Sequence, residues 1–140
     1  MAGNIGTQAI AVTILALYKK THQTKQQLKQ HIKKEMIIGL LNAFLIAVLG
    51  FGLSFLFLQF SNFSMPNNIG PYILSITISI SLFLSMFLSA MFGVFIPIIL
   101  TKLKIDPALA SGPVISTIND LVALVIYFGF ATLIIMPLLT

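Results

Sequence analysis

Long stretches of Leu, Ile, Phe, Val, Ala, Gly and Ser alternate along this chain with short polar intervals, and the alternation predicts four helices. The apolar stretches cover residues 4–18, 35–60, 72–101 and 106–137. A helix rises 1.5 Å per residue and needs about 20 residues to cross a hydrocarbon layer of ~30 Å. The last three stretches meet that length and the first falls short of it. Segment one also opens on Gly3, Asn4, Gly6, Thr7 and Gln8, too polar a start for a lipid-facing helix. It suits a helix or re-entrant turn covered by other helices, because unpaired backbone is tolerated at membrane depth only under protein or water.

The intervals and interruptions carry their own signals. Residues 19–34 form a basic linker in which Leu28 and Ile32 make a weak apolar stripe, so a helix there is expected to lie along the membrane surface. In the second segment Gly39, Ala43, Ala47 and Gly50 recur at three- and four-residue spacing, a small face for close helix packing. Residues 59–71 hold Asn, Ser, Gly and Pro without a charge, as an external loop would. The third segment places Ser81, Ser85 and Ser89 four apart on one face, which reads as a packing surface before a polar conduit, and Pro97 removes a backbone bond near its end. Segment four is expected to start with Asp106 as N-cap and Pro107 in the first helical position. A second break follows at Ser111-Gly112-Pro113.

Composition confirms the environment. The 140 residues are 58% hydrophobic and 8% charged, where soluble domains carry about 25% charged residues. The expectation is an all-α, polytopic helix bundle in the cell membrane, with lipid as its surroundings and one domain. All eight cations are Lys, six of them between Lys19 and Lys34, with Lys102 and Lys104 in the loop before segment four. That distribution places both loops in the cytoplasm and leaves the Asn/Ser loop and both termini outside. Without Arg the net charge of +5 offers no bidentate recognition of phosphate or bases, so nucleic acid is not an expected partner. The uncharged first residues lack the basic region of a cleavable signal peptide.

Catalysis finds little support. Cys is absent, His22 and His31 stand among lysines where they read as surface residues, and no Ser has a base in its region. Asp120 is the residue that demands an explanation. It precedes an almost unbroken apolar run, and an acid at a helix centre costs about 2.5–3.5 kcal/mol on insertion scales. One alternative is a buried carboxylate satisfied by Asn42 or Gln8. The other is a cation site. No membrane-embedded Lys, Arg or His supplies a counter-ion, and the available donors are carboxylate, amide, hydroxyl and carbonyl oxygens, which suit Mg²⁺ or Ca²⁺. One carboxylate cannot strip Mg²⁺ of its water, but it can hold a hydrated ion, and two chains would bring two carboxylates to one axis.

Gly-Asn-Ile-Gly-Thr-Gln at residues 3–8, the run Asp106-Pro-Ala-Leu-Ala-Ser-Gly-Pro, and Asp120 resemble the MgtE family of magnesium transporters. The resemblance runs through essentially the whole chain. It implies a homodimer with a central pore for hydrated Mg²⁺, the transported ion, and Asp120 as the pore carboxylate. It further implies that Gly3, Asn4 and Thr7 contribute nearby, that Ser116 lines the pore one turn earlier, and that Asp106 stands at the cytoplasmic rim. Family members also carry a cytosolic N-terminal domain, a pair of CBS domains and a first transmembrane helix. Residues 1–140 would match the second to fifth helices, and a separately encoded CBS-containing partner is one expectation. Two rival readings are a non-transporting or split-partner membrane subunit and a four-helix proton-coupled exporter; the exporter would need an acid in segment one, which has none.

Overall fold

The computed structural model describes residues 2–18, 25–61, 70–111 and 113–139. Four helices run through them: α1 (Ala2–Tyr18), α2 (Lys25–Phe60), α3 (Pro71–Lys102) and α4 (Pro113–Leu139). A 3-10 turn, Pro107–Ser111, precedes α4. By length and composition α2, α3 and α4 can cross a membrane, and α1 is the shorter apolar helix that segment one predicted. The protein is a multi-pass membrane bundle.

The basic linker does not lie apart on the membrane surface where it is described. Residues 25–34 continue into α2 as one helix of 36 residues, about 54 Å long. Gln, Lys, Leu and Glu are all good helix formers, and no Gly or Pro interrupts the chain before Gly39. The lysines therefore extend beyond the apolar layer on the same axis. His22 and the first part of the linker lie outside the described residues, as does most of the uncharged loop.

α3 is the hub. It touches every other helix, whereas α2 and α4 have no contact with each other among the described residues. The small-residue faces explain why. Gly39 packs on Ala90 and Gly50 on Leu82, while the Ser79 hydroxyl donates to the Ala47 carbonyl at 2.8 Å. Ser75, Thr77, Ser81, Ser85 and Ser89 are all buried on α3. In lipid such small residues let backbones approach, as the Ser81, Ser85 and Ser89 spacing predicted. Ser85 and Ser89 also bond across to α4, whereas Ser75 and Thr77 bond to carbonyls of α3 itself.

These contacts also fix direction. Residue numbers fall along α3 as they rise along α2 and α4, and they rise together along α1, where Ile10 and Ile14 meet Ile96 and Leu100. α1 and α3 run one way and α2 and α4 the other. The end of α1, the start of α2, the end of α3 and the start of α4 thus share one side. That side carries every described lysine, the cytoplasmic one by the positive-inside rule.

The α3–α4 connection is a tight cap. Lys104 takes a left-handed conformation (φ 60°), its N–H bonds to the Thr101 carbonyl at 3.2 Å, and the Ile105 N–H reaches back to Leu100 at 2.9 Å. This is the Schellman arrangement, in which Gly usually occupies the left-handed position. Asp106 then caps the 3-10 turn and not α4: its carboxylate accepts from the Ala108 N–H at 2.9 Å and its carbonyl from the Leu109 N–H at 3.1 Å. The expected N-cap is real, but it belongs to the shorter element. α4 starts after the second break, at Pro113, where a proline at the first turn loses no hydrogen bond.

Candidate functional site

Asn119 decides how α4 presents its neighbour. It is 2% exposed, and its side-chain amide donates to the Ser89 hydroxyl at 2.9 Å. One turn on, Ser85 donates to the Ala123 carbonyl at 2.7 Å. Two bonds spaced four residues apart on each helix fasten the Asn119–Ala123 edge of α4 to the Ser85–Ser89 edge of α3. Successive residues on a helix stand about 100° apart. With Asn119 turned inwards, Asp120 is turned out of the core, and it is exposed on the subunit.

Asp120 lines a cleft of about 520 Å³ together with Leu82, Ser85, Met86, Ala123, Leu124 and Tyr127. The alternative of a buried aspartate satisfied by Asn42 or Gln8 does not hold, since those two amides line a separate cavity beside α2. Among the described residues Asp120 has no hydrogen-bond or charge partner. A bare carboxylate on the flank of a membrane helix requires water, an ion or another chain against it.

α1 meets this region through Gly6. A Cβ on Gly6 would fall 1.9 Å from the Asn119 side-chain nitrogen and 2.7 Å from the Ser89 hydroxyl, so only glycine lets three helices converge there. The contact brings the first turns of α1 to the depth of Asp120. Gly3 and Asn4 lie in the first turn, where Asn4 is exposed, and Thr7 is half-buried. Ser116 is half-buried one turn before Asp120. Of the six residues singled out in the sequence, Asp120 alone lines the cleft; the others do not share it.

Asp106 stands at the lysine-bearing end, exposed, and accepts from the Tyr18 hydroxyl at 2.5 Å. This bond, and then that from the Ala108 N–H, hold its carboxyl below the usual carboxylate value, while desolvation works weakly against them. A depressed folded value means the contact is fully present above the ordinary value of 3.8 and is lost as pH falls through the lowered one. Tyr18→Phe is expected to move the Asp106 titration back up towards 3.8, read by carbon-13 NMR of the carboxyl. An unmoved titration would dismiss the Tyr18 contact.

Asn119 was not visible as a candidate from the sequence beside the more conspicuous Asp120. The signal available was its position four residues before Ala123, facing a third helix with serines at the same spacing. Asn119→Ala removes the donor to Ser89 and is expected to cost about 1–3 kcal/mol, seen as a lower melting temperature in detergent. An unchanged melting temperature would count against the clamp.

Comparison with known proteins agrees with the residues that carry the resemblance. The family model described as "MgtE: Divalent cation transporter" matches residues 1–130. Similar curated proteins are the magnesium transporter MgtE of Bacillus subtilis (strain 168), 38% identical over 94% of this chain, and that of Enterococcus faecalis (strain ATCC 700802 / V583), 32% identical over 94%. The magnesium transporter MgtE of Thermus thermophilus is 32% identical over 95% of the chain. The chain spans 27%, 26% and 27% of these relatives, about a quarter of their length. No solved structure matches. The chain belongs to the MgtE family of divalent cation transporters.

Proposed function

We propose that this chain forms the ion-conducting part of a Mg²⁺ transporter, with Mg²⁺ passing hydrated along the face of α4 that bears Asp120. The observation that carries the reading is the exposed, unpartnered carboxylate in a spanning helix, set beside a cleft of about 520 Å³. Leaving such a group against lipid costs about 2.5–3.5 kcal/mol, whereas a hydrated divalent cation satisfies it through outer-shell hydrogen bonds. Family membership supports a divalent cation, and the names of the three relatives support Mg²⁺.

In this reading the chain acts as a homodimer, and two Asp120 carboxylates face one axis. The exposed apolar residues flanking Asp120, Ile118, Leu121, Leu124 and Val125, support a helix surface covered by a second copy or by lipid. Asp106 would gather cations at the lysine-bearing rim, Ser116 would line the approach, and Gly3, Asn4 and Thr7 would add oxygen ligands from α1. Regulation by Mg²⁺ would fall to a partner with CBS domains. The test is growth of a bacterial strain lacking its own Mg²⁺ uptake systems. Expression of the protein should restore growth at low Mg²⁺, and no restoration by membrane-inserted protein would reject the reading in favour of a non-transporting subunit.

A further inference from the structure

A second acid is inside the bundle. Glu35 is only 9% exposed, and it lines a small cavity with Gln8 of α1, Asn42 of α2 and the apolar walls Ile5, Ile38 and Ala90. The cavity has space of about 10 Å³ for the centre of a water-sized occupant, which is room for one water or one bare ion. Glu35 has no hydrogen-bond or charge partner among the described residues. Beyond Glu35 towards the apolar layer no charge is available to balance it: α1 has no titratable residue from Ala2 to Leu17, α3 has none after Tyr72 until Lys102, and α2 has none after Glu35. On the α2 face itself the nearest titratable group is His31, one turn towards the lysine-bearing end, and Lys33 and Lys34 are exposed.

We propose that Glu35, Gln8 and Asn42 form an internal cation site, separate from Asp120, that takes one monovalent ion of about the size of Na⁺. Charge and space select the ion. One carboxylate balances a single positive charge, and its two oxygens with two amide oxygens are hard donors suited to an alkali ion. Mg²⁺ keeps several waters and Ca²⁺ needs six to eight oxygens, neither of which a space for one water provides. The ion would tie α1 to α2 close to the Gly39–Ala90 contact, one of two points where a glycine of α2 packs tightly on α3. The site is thus a structural brace as well as a ligand position.

The probe is NaCl itself. Purified protein in detergent is melted in NaCl and in choline chloride at equal ionic strength, without Mg²⁺. A ligand that binds only the folded state raises its melting temperature, and a rise of ~5 °C in NaCl is expected. Glu35→Gln should abolish the difference between the two salts, and Gln8→Ala, at the exposed rim, should reduce it if the first variant folds poorly. Asp120→Asn should leave it intact. Because melting requires no transport, the result stands or falls separately from the reading of Asp120. Equal melting in both salts, as a cavity holding only water would give, or a Na⁺ response undiminished in Glu35→Gln, would overturn the site.

Discussion

Asp120→Asn is expected to reduce Mg²⁺ uptake at low external Mg²⁺ by about a hundredfold or more, with the protein still inserted and folded. The substitution keeps size and hydrogen-bonding atoms and removes only the charge. At about 4 Å and an effective dielectric of about 20, two unit charges attract by ~4 kcal/mol, and each 1.4 kcal/mol is a factor of about ten in occupancy. Water between carboxylate and ion weakens that figure, so a hundredfold loss is a conservative expectation. Folding should be spared, because Asp120 is exposed and its partner-free carboxylate stabilises nothing within the subunit. Asp120→Glu, which keeps the charge on a longer stem, should retain measurable uptake. Equal uptake in Asp120→Asn and wild type would remove the carboxylate from the pathway.

Gly93→Ala should destabilise the protein although it replaces glycine in a helix by a better helix former. In an open helix position that change is favourable by about 0.5–1 kcal/mol. At Gly93 the new Cβ would lie 2.4 Å from the Gly6 carbonyl oxygen and 2.8 Å from the Ala9 Cβ. The first obstacle is backbone, so α1 itself must move. Overpacking of this kind costs typically 1–3 kcal/mol, more than the propensity gain. Gly52→Ala is the matched control, since nothing lies within 4 Å of its added Cβ. The two substitutions should shift the melting temperature in opposite directions. A stabilised Gly93→Ala would show that α1 and α3 are not in close contact. Because Gly6 also seats Asn119, a displaced α1 should loosen the α4 clamp and lower uptake as well.

Much of this organisation was legible from residue types and spacing. Apolar length set the helices, and the lysines set which ends share a side. The glycine, alanine and serine faces are legible as packing surfaces because in lipid only small residues let backbones meet. The path of α2 was less legible: Leu28 and Ile32 suggested a separate surface helix, but good helix formers without a breaker simply extended α2. The Asp106 cap serves the 3-10 turn instead of the long helix. An Asp-Pro pair starts a helix of either kind, and only Ser111-Gly112-Pro113 tells where the long one begins. Asn119 and Glu35 were hidden for another reason. Their importance comes from α1 and α3 closing over them, and helix spacing within one segment does not reveal which face a third helix covers.

Mg²⁺ entry into liposomes that contain only this protein, reported by a trapped Mg²⁺-sensitive dye, probes the assignment of the ion path most directly. Wild-type protein is expected to admit Mg²⁺ down its gradient, and Asp120→Asn, reconstituted in equal amount and orientation, is expected to leave the dye signal near that of empty liposomes. Folded wild-type protein that admits no Mg²⁺, or an Asp120→Asn variant that admits as much as wild type, would contradict it.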